Sequence, residues 1–156
     1  MQRVLFICTH NSARSQMAEA FLNKLGGGKF EAESAGLAPT QVNPYVVEVM
    51  KEEGIDLSNK ETHAVFDKFR QGKLYHYVIT VCAEAESQCP IFPGVTHRLH
   101  LPFPDPASFT GSREEILART REVRDAVKKK VSEFVAWCRD DCEGPLGDAW
   151  IGSKPA

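Results

Sequence analysis

RVLFICTHNSARSQMAEAFLNKL, residues 3–25, changes character twice. RVLFI (3–7) is a short apolar run with β-branched and aromatic members, which predicts a strand buried on both faces. From Ser15 onward, Met17, Phe21, Leu22 and Leu25 fall on one helical face, and Gly26, Gly27 and Gly28 stop the helix. Between strand and helix lies CTHNSARS (8–15), a polar loop without glycine. It opens on a cysteine and carries an arginine six residues later. The rest of the chain repeats the alternation. FEAESAG (30–36) predicts a second strand. Pro44 heads a second helix, YVVEVMKEEG, that ends at Gly54. Residues 61–74 hold a short helix, and HYVITV (76–81) and VTHRLHL (95–101) are the third and fourth strands. The turn-rich PFPDPASFTG (102–111) leads to a capping box, Ser112 with Glu115, that opens a long helix to about residue 139. Residues from about 140 to 156 read as an irregular tail on a single domain spanning 1–156.

Strands alternating with helices give an α/β fold in three layers, a parallel sheet covered on both faces. Such sheets bind ligands beyond the carboxyl ends of their strands, where the strand order reverses. Cys8, Cys82 and the 102–111 loop all fall just past strand ends, so one site is expected to gather them.

Composition narrows the function classes. The chain has 156 residues, 42% hydrophobic and 26% charged, as expected for one globular core. A net charge of −2 gives no electrostatic reason for nucleic acid or a membrane surface as partner. No apolar run is long enough to span a bilayer, and Met1 runs directly into the first strand, so neither a membrane span nor a signal peptide is expected. The expected compartment is the cytoplasm, where thiols stay reduced and disulfides are usually transient and catalytic. Five cysteines in such a protein read as chemistry or packing.

The first loop has the parts of an oxyanion cradle. Backbone N–H groups of Thr9, His10, Asn11, Ser12, Ala13, Arg14 and Ser15 can line a nest, with the positive end of the following helix behind it. Arg14 supplies a planar fork for two oxygens. The same field favours a thiolate at Cys8, with an expected pKa below the ordinary thiol value. Asn11 can brace the loop, and Ser15 can donate to the sulfur. A lone cysteine at a strand end is more often packing. The arginine six residues on, at a strand-to-helix turn, favours a nucleophile. A glycine-rich nucleotide loop does not fit, because the loop lacks both the glycines and the lysine.

VLFICTHNSARSQMAEAF resembles the signature of the low-molecular-weight protein tyrosine phosphatases, and PFPDP resembles that family's general-acid loop. The resemblance implies a four-stranded parallel sheet flanked by helices, Cys8 as nucleophile, Arg14 as oxyanion clamp and Asp105 as general acid. Within the family, Cys8, the Cys82…Cys89-Pro90 pair and Asp105-Pro106 resemble the thioredoxin-coupled arsenate reductases. That resemblance implies a thiol relay. Cys8 attacks arsenic, Cys82 attacks the Cys8 sulfur as arsenite leaves, and Cys89 takes over the disulfide for reduction by external thioredoxin. Arsenate would be the substrate, phosphate or sulfate competing oxyanions, and the protein a monomer with no tightly bound cofactor. Residues 83–88, rich in helix formers, are expected to form a short helix that rearranges as the second bridge forms.

Two rivals stay open. A phosphatase of the same fold would use Cys8, Arg14 and Asp105 and leave Cys82 and Cys89 idle, although Ala107 and Ser108 stand where such phosphatases often have a tyrosine. A non-catalytic oxyanion-binding sensor would bind without turnover. Residual phosphatase activity is compatible with the reductase reading.

Other positions carry smaller expectations. His10 stands where many relatives have glycine, and Ala13 where some have a further cysteine. No metal site is expected. Asn11, Glu19 and Ser34 match three of the four potassium ligands of some reductases, but His63-Ala64 stands where the fourth, an Asp, would be. Cys138 and Cys142 read as one core and one surface thiol, or as a pair able to oxidise. His76, His97 and His100 read as strand-edge residues, Trp137 and Trp150 as packing, and Phe103 and Phe109 as rim or sheet cover.

Overall fold

The computed structural model describes residues 1–82 and 97–138, and the backbone of 151–155. Cys89 and the expected 83–88 helix lie outside the described residues, as do Cys142 and Trp150.

The elements follow the sequence pattern closely. They are β1 (Gln2–Cys8), α1 (Arg14–Leu25), β2 (Phe30–Gly36), α2 (Pro44–Lys51), α3 (Val65–Arg70), β3 (Tyr77–Thr80), β4 (His97–His100), a 3-10 turn (Pro106–Ser108), α4 (Arg113–Trp137) and β5 (Ile151–Pro155). Local chemistry explains the ends. Asn43 caps α2, its Oδ1 accepting from the Tyr45 N–H at 2.8 Å, with Pro44 in the first turn. Ser112 caps α4 by accepting from the Glu115 N–H at 3.2 Å, as the capping box predicts.

Among the described residues the sheet has five strands in the order β2-β1-β3-β4-β5. The first four are parallel, as expected. β5 runs antiparallel to β4, with His97 opposite Pro155 and His100 opposite Ile151. Over residues 151–155 a strand stands where an irregular tail was expected. Residues 151–155 contain Gly and Pro, which argue against a central strand, but an edge strand tolerates both.

Val4 to Cys8 are all buried, so β1 is covered on both faces. α1 packs on α4, and α4 on α2. Arg124 ties α4 to α2, donating from Nη1 to the Val49 carbonyl at 2.9 Å and to Glu52 Oε1 at 2.7 Å. Hydrogen bonds from Arg121 and Arg124 hold the Glu52 carboxyl down to about 2. Beneath the sheet, Tyr77 meets Phe134 edge-on at 5.2 Å and Trp137 at 6.2 Å, which gives Trp137 its expected packing role.

The placement that matters lies at the centre of the sheet. From β1 the chain crosses to β2 on one side, while β3 pairs on the other. The strand order therefore reverses between β1 and β3, and the crevice at their carboxyl ends is the favoured ligand position of an open α/β sheet. The register Ile7↔Thr80, continued by Val81 N–H to the Ile7 carbonyl at 2.9 Å, brings Cys8 and Cys82 to that crevice.

Candidate active site

Residues 8–13 turn from β1 into α1, and their outer side is fastened to the segment after β2. The carbonyls of Cys8, Thr9, His10 and Ser12 accept from the N–H groups of Leu37 (3.2 Å), Ala38 (2.8 Å), Thr40 (3.0 Å) and Asn43 (2.9 Å). The peptide bonds are trans. A trans peptide points its C=O and N–H in opposite directions. The N–H groups of Thr9, His10, Asn11 and Ala13 therefore face away from residues 37–43, toward the inside of the loop. Four of the seven N–H groups expected to line a nest thus share one side of the loop.

The loop closes tightly because of two residues. Asn11 takes the left-handed conformation, φ 52°, which Asn tolerates better than most residues. The special backbone conformation thus falls on Asn11, and His10 needs none of glycine's freedom. Gly36, the β2 partner of Cys8, supports the loop from below. A Cβ there would lie 2.7 Å from Asn11 N, 2.8 Å from the Thr9 carbonyl oxygen and 2.9 Å from the His10 carbonyl carbon. Sequence reasoning took Gly36 only as a strand stop. A small residue at the end of the strand beside the nucleophile was the available signal.

Arg14 is 5% exposed. Its Nη1 donates to the Phe103 carbonyl at 3.1 Å, and its Nη2 lies 3.6 Å from Asp105 Oδ2. Its Nε is buried with no hydrogen-bond partner in the protein. The fork is thus held at one end, with a buried donor left over. Asp105 caps the 3-10 turn, accepting from the Ala107 N–H at 3.0 Å, and the ion pair with Arg14 brings the Asp-Pro loop to the cradle.

Cys8 and Cys82 are both reduced and buried. The Cys82 sulfur sits beside Cys8 at the strand ends and lies 3.4 Å from Thr9 Oγ1. This arrangement corrects the expected acidic thiol. The neighbouring Cys82 thiol and burial push the Cys8 thiol above its ordinary value, and the Arg14 charge and the Thr9 N–H pull the other way without offsetting them. The sequence displays the arginine and the nest. It displays neither the burial nor the second sulfur.

The chain matches the model of the low molecular weight phosphotyrosine protein phosphatase family over residues 3–143. It belongs to that family. An arsenate reductase of Halalkalibacterium halodurans is 39% identical over 131 residues, covering 84% of this chain and 93% of its own. Among solved structures, an arsenate reductase in the oxidized state aligns with a TM-score of 0.71 at 30% identity, covering 87% of this chain and 98% of its own. A thioredoxin-dependent arsenate reductase of Corynebacterium glutamicum aligns with a TM-score of 0.55 at 29% identity, over 84% of this chain and 62% of its own.

In this member of the low molecular weight phosphotyrosine protein phosphatase family, the three potassium candidates do come together. Asn11 Nδ2 donates to Ser34 Oγ at 2.9 Å, and Ser34 Oγ donates to Glu19 Oε1 at 3.0 Å. They do not fit a bound ion. Asn11 Oδ1 is taken by the His63 N–H at 2.9 Å and Gln16 Nε2 at 3.2 Å, and Glu19 Oε2 meets the Lys60 ammonium at 2.6 Å. Asn11 Nδ2 also donates to Ser15 Oγ at 2.9 Å, so the loop bracing expected of Asn11 runs through its side chain. Sequence reasoning missed Lys60 altogether.

The remaining cysteine in view, Cys138, is buried and disulfide-bonded. Of the two readings given for Cys138, it is the oxidisable one, at a core position, that this fits. Phe103 acts through its backbone, as the carbonyl that holds Arg14. No described helix is long and apolar enough to cross a membrane.

Proposed function

We propose that this protein is an arsenate reductase that converts arsenate to arsenite through Cys8, Cys82 and Cys89, with thioredoxin as the external dithiol. The observation that carries the reading is a second free thiol, Cys82, at the end of the strand paired with that of Cys8, in the crevice where Arg14 and Asp105 meet. A phosphatase has no use for a second sulfur there. A thiol relay needs one within reach.

The cradle N–H groups and Arg14 Nε hold three oxygens of a tetrahedral oxyanion, whether arsenate, phosphate or sulfate. As Cys82 withdraws, Arg14 and the Thr9 N–H stabilise the Cys8 thiolate. The thiolate forms a sulfur–arsenic bond, and one arsenic–oxygen bond breaks. Asp105 gives the leaving oxygen a proton, and it departs as water. The Cys82 thiolate then attacks the Cys8 sulfur. The new disulfide forms, the sulfur–arsenic electron pair passes to arsenic, and arsenite leaves in the trivalent state. Phosphorus(V) does not readily accept that pair, so phosphate binds without being reduced. Cys89 attacks Cys82, freeing Cys8, and thioredoxin reduces the Cys82–Cys89 disulfide. Residues 1–156 act as one monomeric domain in the cytoplasm, with no tightly bound cofactor.

Arsenate-dependent NADPH consumption with thioredoxin and thioredoxin reductase tests this reading. Wild type turns over repeatedly, and Cys82→Ser and Cys89→Ser do not. Full turnover in either variant rules out the relay.

A further inference from the structure

The chain from the cradle through Asn11, Ser34 and Glu19 ends on a charge of the protein's own. Glu19 lies on α1, and its carboxylate is buried. A buried carboxylate needs a cation or hydrogen-bond donors close by. Here Ser34 donates to one oxygen at 3.0 Å, and the Lys60 ammonium sits 2.6 Å from the other. Lys60 is delivered by the turn between α2 and α3. Asp56 Oδ1 accepts from the Ser58 N–H at 2.9 Å, the Leu57 carbonyl accepts from the Lys60 N–H at 3.1 Å, and the Leu57 side chain is buried. The residues just after Lys60 hold the same network. The Glu61 carbonyl accepts from Gln16 Nε2 at 3.1 Å, and the His63 N–H donates to Asn11 Oδ1.

We infer that Lys60 is the resident cation of this network, a positioning residue whose ammonium fixes Glu19, and through Ser34 the left-handed Asn11 that shapes the cradle. The site therefore carries its counter-charge covalently and has no need of a free monovalent ion. Asn11 is the point of leverage. Its Nδ2 reaches both Ser34 and Ser15 at 2.9 Å, and its backbone sets the path of the loop between Cys8 and Arg14. If Glu19 loses its cation, the hydrogen bonds that orient Asn11 are disturbed, and the cradle N–H groups drift from the oxyanion. Misplacement by about 1 Å costs on the order of 100-fold in rate.

The inference rests on the oxyanion-cradle reading but not on arsenate as substrate, so two readouts are used. Wild type, Lys60→Met and Lys60→Arg are compared in potassium chloride and in tetramethylammonium chloride at equal ionic strength. Thioredoxin-coupled arsenate reduction gives kcat/KM. The shift in thermal midpoint caused by inorganic phosphate gives cradle binding without turnover. Wild type should be indifferent to the salt in both. Lys60→Met should lose roughly 10- to 100-fold in kcat/KM and most of the phosphate shift in tetramethylammonium. Potassium, small enough to meet the freed Glu19 oxygen, should restore much of each. Lys60→Arg should recover the wild-type behaviour. The inference is overturned if potassium stimulates wild type, if Lys60→Met matches wild type in tetramethylammonium, or if its loss is not relieved by potassium. A wild type inactive on arsenate would sink the reductase reading alone, because the phosphate shift still tests Lys60.

Discussion

Cys82 stands next to Cys8 at the carboxyl ends of two adjacent parallel strands, its sulfur 3.4 Å from Thr9 Oγ1, and neither thiol is in a disulfide. On the proposed relay, this pairing puts the second sulfur next to the first before any substrate is present. The neighbouring sulfur and burial both oppose a sulfur anion at Cys8 and raise its pKa. Two interacting thiols lose their protons in separate steps, and the second loss is displaced to higher pH.

The sign of that effect is testable. The Cys8 pKa is raised, so its thiolate fraction at pH 7 is small and grows only as the pH climbs above the ordinary thiol range. Removing the Cys82 sulfur removes the largest cause of the rise and leaves burial opposed by the Arg14 charge. Cys82→Ala should therefore move the pH profile of Cys8 alkylation by iodoacetamide to lower pH. Labelling at pH 7 should be at least about tenfold faster, the effect of one unit of pKa. Peptide mapping reads it directly, and identical profiles would remove the proposed coupling.

Gly36→Ala should damage the site from outside it. The added methyl meets backbone of Thr9, His10 and Asn11 at 2.7–2.9 Å, and these atoms are fixed by the bonds to residues 37–43. Overpacking of this kind costs about 1–3 kcal/mol of stability. The loop shift should also lower kcat/KM by on the order of 100-fold. Thermal melting and turnover, measured on the same sample, separate the two effects. Unchanged turnover would show that the loop has room to move.

Arg14→Lys keeps the positive charge and loses the fork. The ammonium cannot hold the Phe103 carbonyl and also present the buried donor at Nε to an oxyanion. Loss of one such donor costs roughly 10²–10³ in kcat. Titration calorimetry with phosphate should show binding falling in parallel. Tight phosphate binding by the lysine variant would mean that charge alone, without the fork, is enough.

Particular residues show what the sequence could and could not tell. The strand, loop and helix of residues 3–25 were legible because periodicity and the CTHNSARS spacing are local. Cys8 and Cys82 could be placed at one end of the sheet, but their adjacency depends on the register Ile7↔Thr80, which no local pattern encodes. The same limit hid Lys60, 41 positions after Glu19, and Gly36, whose role depends on what lies above it. The expected acidic thiol failed for a related reason. Its favourable neighbours are close in sequence, whereas the Cys82 sulfur that opposes them is remote. β5 escaped because its composition suits only an edge strand, and edge position is a property of the assembled sheet.

The central claim concerns the disulfide between the first two cysteines, and Cys89→Ser should trap it. The fully reduced variant is given one equivalent of arsenate without thioredoxin, then quenched with iodoacetamide and mapped by mass spectrometry. The account predicts one equivalent of arsenite and a Cys8–Cys82 disulfide, with neither cysteine alkylated. Arsenite released while Cys82 remains free to alkylate, or no arsenite at all, would contradict it.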